Sequence, residues 1–199
     1  MSYHSDLVSP YTWANRAVVA AVCLGGLAAA CGVPQDRREA FTVAVEAQEA
    51  RSFERSAAAS ARYLKGATPD DPRYDRALML LGRSCEQLEL GYAASVLFRE
   101  VAMGRRNMEL LPDALRGLAR IVDSGVYDDD LIVSGYVAGT EFTAMPDDVQ
   151  GFISYYQGRD SIRHGFDEWG ENQFDRIPVE SAYHWRSIYV YAVRAVARD

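Results

Sequence analysis

The chain has 199 residues, a formal charge of −7, 49% hydrophobic residues and 25% charged residues. That length allows one domain of ordinary size with a buried core. The acidic balance argues against nucleic acid as a partner, because a phosphate backbone calls for a basic footprint.

The N-terminal stretch differs in kind from the rest. Arg16 precedes an uncharged run from Ala17 to Ala30. As a helix that run would span about 21 Å, short of the roughly 30 Å hydrocarbon core of a bilayer. It therefore reads as the apolar region of a signal peptide rather than a permanent span. The run ends in Leu27-Ala28-Ala29-Ala30-Cys31-Gly32, which resembles the lipobox of bacterial lipoproteins. Leu27 stands four residues before the cysteine, where that motif usually has three. The resemblance implies that residues 1–30 are a lipoprotein signal peptide, that the Cys31 thiol is acylated, and that 31–40 is a lipidated linker. Gly32 after the cysteine resembles outer-membrane sorting, with the protein facing the periplasm. A cleaved secretory signal and an uncleaved anchor are the alternatives. With Cys23 removed and Cys31 acylated, only Cys85 would remain, so the mature chain would hold no disulfide. Cys85 lies on the apolar face of a predicted helix and reads as a small buried hydrophobe.

From Pro34 onward the periodicity is helical and no alternating, strand-like run occurs, which predicts an all-α domain over 41–199. A first hairpin covers Gln35 to Leu64, with Ala47, Ala59 and Tyr63 at its small and aromatic places. Residues 66–72 break the pattern with two prolines and two aspartates. Leu78, Leu81, Gly82 and Cys85 then recur at helical spacing. Leu90-Gly91-Tyr92 is the predicted turn, and Ala94, Leu97, Phe98 and Val101 line the returning helix. The spacing of Gly82, Ala94 and Phe98 is repeated by Gly158, Gly170 and Phe174. Between them an irregular unit uses Leu115, Leu118, Ala119 and Val122, turns at Gly125, and returns over 130–142 with Gly135 and Gly139 inside. Residues 143–148 restart the chain. A last helix, from 178 to about 198, carries Ile188, Tyr191, Ala192, Ala195 and Val196 as its expected buried stripe.

A self-similar unit of this length signals stacked helical hairpins. The pattern resembles the tetratricopeptide repeat (TPR), clearly at 74–103 and 151–178 and weakly elsewhere. That resemblance implies a right-handed superhelix of about three to four hairpins closed by a C-terminal capping helix. In the family the first helix of each hairpin lines a concave binding groove. Counting from the small eighth residue of each unit places Arg76, Met79, Arg83, Glu86 and Gln87 inward, then Asp113, Arg116, Arg120, Asp123 and Ser124. The third unit contributes Phe152, Tyr155, Arg159, Ile162 and Arg163. The expected partner-binding set is Arg76, Arg83, Arg116, Arg120, Tyr155, Arg159 and Arg163. Guanidinium forks grip carboxylates, so the groove would hold an acidic segment or a free C-terminus of a protein partner. The plainer reading pairs these arginines with Glu86, Asp113 or Asp123, at ~0–1 kcal/mol for each exposed pair.

Other chemistry is sparse. Asp128-Asp129-Asp130 lacks the alternating ligands of a calcium loop and reads as a solvated helix start. The histidines lack zinc spacing, and neither a phosphate loop nor a nucleophile elbow occurs. Trp169 at a turn and Trp185 beside His184 are candidates for an exposed partner surface, core packing being the ordinary reading of either. The sequence thus predicts a lipid-anchored periplasmic adaptor without cofactor, metal or catalytic residue. Its expected role is to assist assembly of an envelope complex, as pilotins and barrel-assembly accessory lipoproteins do. The rivals are an envelope enzyme on a helical superhelix, with Glu86 as the one groove carboxylate, and a repeat protein anchored in the inner membrane.

Overall fold

The computed structural model describes residues 37–133, 140–142 and 145–198. The lipobox with Cys31, and the glycines at 135 and 139, lie outside the described residues. Among those described, every regular element is a helix. They are α1 (Arg37–Glu49), α2 (Phe53–Leu64), α3 (Tyr74–Gln87), α4 (Gly91–Gly104), α5 (Leu111–Asp123), α6 (Asp129–Val133), α7 (Asp147–Arg163), α8 (Asp167–Phe174) and α9 (Ala182–Arg198). Helix α1 starts inside the expected linker of 31–40. The chain divides into two compact units, Met1–Leu97 and Phe98–Asp199, with the boundary inside α4.

In the first unit α1 packs against both α2 and α3, and α2 packs against α3. Three residues join α1 to α2, which forces an antiparallel hairpin. Ala40, Tyr63 and Ala77 form a buried cluster to which Phe41, Leu64 and Ala67 add their edges. In the second unit α7 packs against α5, α8 and α9. In the first unit α1 thus meets both its own hairpin partner and the next first helix, and in the second unit α5 meets α6 and α7, and α7 meets α8 and α9.

One backbone device recurs at three turns. Arg51 (φ 55°), Glu89 (φ 60°) and Gly165 (φ 83°) are left-handed residues just past α1, α3 and α7. At each, two amides reach back into the helix: Ser52 N to Ala47 O and Arg51 N to Gln48 O, Leu90 N to Cys85 O and Glu89 N to Glu86 O, Phe166 N to Ser161 O and Gly165 N to Ile162 O. This is the Schellman cap, which satisfies the orphan carbonyls and reverses the chain. The three positions stand 38 and then twice 38 residues apart. The repeat period is therefore written in the turns.

That register corrects two sequence expectations. In the first hairpin the residues equivalent to Gly82 and Ala94 are Ala44 and Ser56, three before Ala47 and Ala59. Both are fully buried, and the Ser56 hydroxyl donates to the Ala44 carbonyl at 3.0 Å. In the irregular unit the left-handed residue is Gly125 (φ 67°), two earlier than the period. Seven residues before it, where Gly82 and Gly158 stand in their units, is the buried Leu118. Ala119 is half-exposed, and the small residue meeting an aromatic ring is Gly117, one position further back. A methyl group there would stand 2.5 Å from the Phe98 ring, and one at Gly158 would stand 2.5 Å from Phe174 and 2.9 Å from the Gly170 carbonyl oxygen.

Helix α9 also departs from expectation. Tyr183 and Ser187 are buried, while Ile188 is 41% and Val196 78% exposed. Tyr191 is only half-buried, and Ala192 and Ala195 are exposed. The helix has two apolar faces, and ring contacts decide between them: Tyr183 meets Phe152, Tyr155 and Tyr156, and Tyr191 meets Phe174. An ion pair of Arg194 with Asp167 fixes the same face.

Two substitutions probe this framework. Arg51→Gly removes the left-handed cost at a non-glycine residue and should raise stability by about 0.5–1 kcal/mol. Gly158→Ala forces a methyl group against a ring and a backbone carbonyl and should lower it by about 1–3 kcal/mol, despite better helix propensity. Thermal melts followed by circular dichroism check both, and a Gly158→Ala protein as stable as the parent would refute the tight approach.

Candidate functional site

The expected groove residues fall into two groups according to what surrounds them. In the first unit, α3 carries Arg76 exposed, Arg83 and Glu86 half-buried, and Gln87 exposed. Arg76 and Arg83 are seven residues apart, two turns on one helix face. Met79, counted on that face from the sequence, is buried at 3% exposure and belongs to the core.

In the second unit Arg116 is held at all three donor atoms. Its Nε and Nη2 bond Asp148 at 2.6 and 3.1 Å, and its Nη1 bonds Asp113 at 2.8 Å. The fork joins α5 to the first turn of α7. It raises the guanidinium pKa and holds the Asp148 carboxyl below the usual carboxylate range. Asp147 and Asp148 also sit where the helix dipole favours negative charge. Arg120, one turn further along α5, is exposed, as is Arg163 at the end of α7.

Arg159 and Tyr155 depart from the groove reading. Arg159 bonds Asp129 at 2.8 Å and lies over the Tyr156 ring, 4.7 Å from its centroid. Tyr155 is 8% exposed and packs among Tyr156, Phe174 and Tyr183. Phe152 is fully buried beside them. The aromatic positions counted inward from Gly158 are core because α9 covers them.

Sequence reasoning missed a pair of matching clamps in this unit. Tyr156 donates its hydroxyl proton to Asp129 Oδ2 at 3.0 Å, the oxygen that also receives Arg159. Tyr183 donates to Asp123 Oδ1 at 2.8 Å, and Arg186 reaches the same oxygen at 3.0 Å. Arg186 lies over the Tyr183 ring at 4.7 Å, as Arg159 does over Tyr156. Each clamp is a Tyr-x-x-Arg step on one helix turn, folded so that ring and guanidinium stack and share one carboxylate oxygen. The repeated Tyr-x-x-Arg spacing was the signal available in the sequence. Asp129, expected to be a solvated helix start, is thus a structural acceptor. The two aspartates flank the short stretch between α5 and α6, so the clamps pin that stretch to α7 and α9.

No family model, curated protein or solved structure matches the chain. The site therefore rests on its own chemistry. Among the described residues no group of three or more His, Cys, Asp or Glu side chains could hold a metal ion. A small cavity of about 150 Å³ opens beside α7, lined by Gln150, Ser154, Gln157 and Gln173 with Arg176 at its edge. Large apolar side chains face solvent on α8 and α9: Trp169 is 55%, Trp185 72% and Tyr189 70% exposed. The two tryptophans are on the surface, not in the core.

The clamps carry a pH signature. Burial, then the adjacent Asp129 and Asp123, raise the Tyr156 and Tyr183 hydroxyls well above the ordinary value near 10. An acid whose folded pKa is raised stabilises the fold fully below its unfolded pKa and loses that stability as pH rises. Stability should therefore fall above pH ~10. Tyr156 and Tyr183 should form tyrosinate, read by ultraviolet absorbance, only together with loss of helical signal. Asp129→Ala, which strands a buried hydroxyl and a guanidinium, should cost about 1–3 kcal/mol in denaturant melts.

Proposed function

We propose that this protein is a lipid-anchored helical-repeat adaptor that binds a protein partner and aids assembly of an envelope complex. Its helices would stack as TPR-like hairpins in a right-handed superhelix. The observation that carries the repeat reading is the Schellman turn recurring at Arg51, Glu89 and Gly165 on a 38-residue period. Packing of alternate helices within each unit supports the same reading. Stacked hairpins of this kind bury a shared core and offer long surfaces, which suits binding more than catalysis.

The lipid anchor rests on Leu27-Ala28-Ala29-Ala30-Cys31-Gly32 and the uncharged run before it. Among the described residues no helix is long and apolar enough to cross a membrane. The partner would be gripped through the exposed Arg76 and the half-buried Arg83 in the first unit, and through the exposed Arg120 and Arg163 in the second. Arg116 and Arg159 tie α5 and α6 to α7 through Asp148 and Asp129, so replacing either would also disturb the fold. A partner rich in carboxylates, or one ending in a free C-terminus, fits such donors. The outward apolar side chains of α9 favour an interaction protein, since monomers rarely leave a contiguous apolar stripe to water.

Metabolic palmitate labelling in a bacterial host, with and without a signal-peptidase inhibitor, tests the anchor. Label is expected on the parent chain and none on Cys31→Ser; label that survives this substitution would refute acylation at Cys31. Charge reversal of Arg76, Arg83, Arg120 and Arg163 together should abolish co-purification of the partner at unchanged helix content. Unchanged recovery would return these arginines to a surface role.

A further inference from the structure

The first unit contains a cationic cavity that the adaptor reading does not use. It has a volume of about 380 Å³ and is lined by Arg37, Arg38, Tyr63, Asp71, Pro72 and Arg73. Three guanidinium groups face a single carboxylate, in a chain whose net charge is −7. Such a concentration of positive charge has a chemical preference, and the local bonding sharpens it.

The carboxylate is already committed. Asp71 Oδ1 accepts the Tyr63 hydroxyl at 2.5 Å and the Arg73 amide at 3.0 Å. The Tyr63 bond, then the Arg73 amide, hold the Asp71 carboxyl below the usual range, while burial, then the bond to Asp71, pushes the Tyr63 hydroxyl up to about 12. Asp71 is therefore a fixed anion occupied by protein donors, and a poor ligand for an incoming cation. The arginines are held in place differently. Arg37 donates to the Gly66 carbonyl at 2.6 Å and stands 3.8 Å from Asp71 Oδ2. Arg73 lies over the Phe41 ring at 5.4 Å. A guanidinium presents five N–H donors in a fixed planar fork, the geometry that suits an oxyanion. Arg37 and Arg38 also open α1, whose first-turn amides add positive potential at the same end.

We propose that this cavity binds a phosphate group, and that its source is an anionic lipid headgroup. The phosphate preference stands on the cavity alone: forked donors on planar cations match tetrahedral oxyanions. The lipid source rests on the proposed acylation of Cys31. Six peptide steps separate Cys31 from Arg37, so an acylated cysteine would keep the cavity within roughly 22 Å of the bilayer. Phosphodiester headgroups would then be presented to it at high local concentration, and binding would orient the first unit against the membrane.

The full chain in non-ionic detergent, titrated calorimetrically with inorganic phosphate and with short-chain phosphatidylglycerol, tests the cavity. Saturable binding of both is expected. Arg38→Gln with Arg73→Gln should weaken each at least tenfold, whereas Asp71→Asn, which keeps the acceptor and removes the charge, should strengthen each. Cys31→Ser should leave both titrations unchanged, which separates the cavity from the anchor. Absence of saturable binding, or equal affinity across the arginine and aspartate variants, would overturn the proposal. Phosphate binding without headgroup binding would overturn the lipid source.

Discussion

A left-handed residue at the end of each first helix is the constraint on which the rest of the fold depends. Once Arg51, Glu89 or Gly165 takes positive φ, the two backward amide bonds close and the next helix must run back along the first. The reversal brings the first and second helices of a hairpin close enough that only small residues fit between them. Ala44 and Ser56 fill this place in the first hairpin, and Gly158 and Gly170 in the second unit. The cap at Arg51 or Glu89 is strained by ~1–2 kcal/mol relative to glycine. Burial of the hairpin core offsets that strain, since a few fully buried side chains contribute more.

The second unit adds a different kind of fastening. Its hairpin is joined to the preceding stretch by carboxylates rather than by apolar packing alone: Asp148 to Arg116, Asp129 to Arg159 and Asp123 to Arg186. In the last two pairs a tyrosine shares the oxygen and lends its ring face to the guanidinium. Such partly buried, stacked pairs are directional, and they specify which helix face turns inward where apolar pattern alone is ambiguous. Helix α9 is the case in point. Its outward face is as apolar as its inward one, and Arg186 on Asp123 with Arg194 on Asp167 selects between them.

Much of the helical plan was legible in the sequence because it is carried by local spacing. Gly158, Gly170 and Phe174 announce a close hairpin, and the structure brings those three together. The turns were less legible. Arg51 and Glu89 occupy positions where glycine is the usual marker, so the first hairpin was registered three residues late, on Ala47 instead of Ala44. Ala119 failed for a related reason, since the turn at Gly125 arrives two residues early and no composition signal encodes the slip. The fate of the arginines was hidden more deeply. Arg116 and Arg159 are held by Asp148 and Asp129, about thirty residues away in sequence, and only the fold brings those charges together. The arginine cavity was missed because Arg37 and Arg38 lay in the stretch read as a linker.

The exposed tryptophans have a spectroscopic consequence. The chain has three tryptophans, and those in the described residues, Trp169 and Trp185, both belong to the second unit and face solvent. Their emission already reflects an aqueous surrounding in the native protein. Heating or denaturant would therefore shift it little, while the tyrosines packed around Phe152 would dominate the near-ultraviolet dichroism. The same indoles are well placed to report a docking event, because covering them would move their emission to the blue without any change in fold.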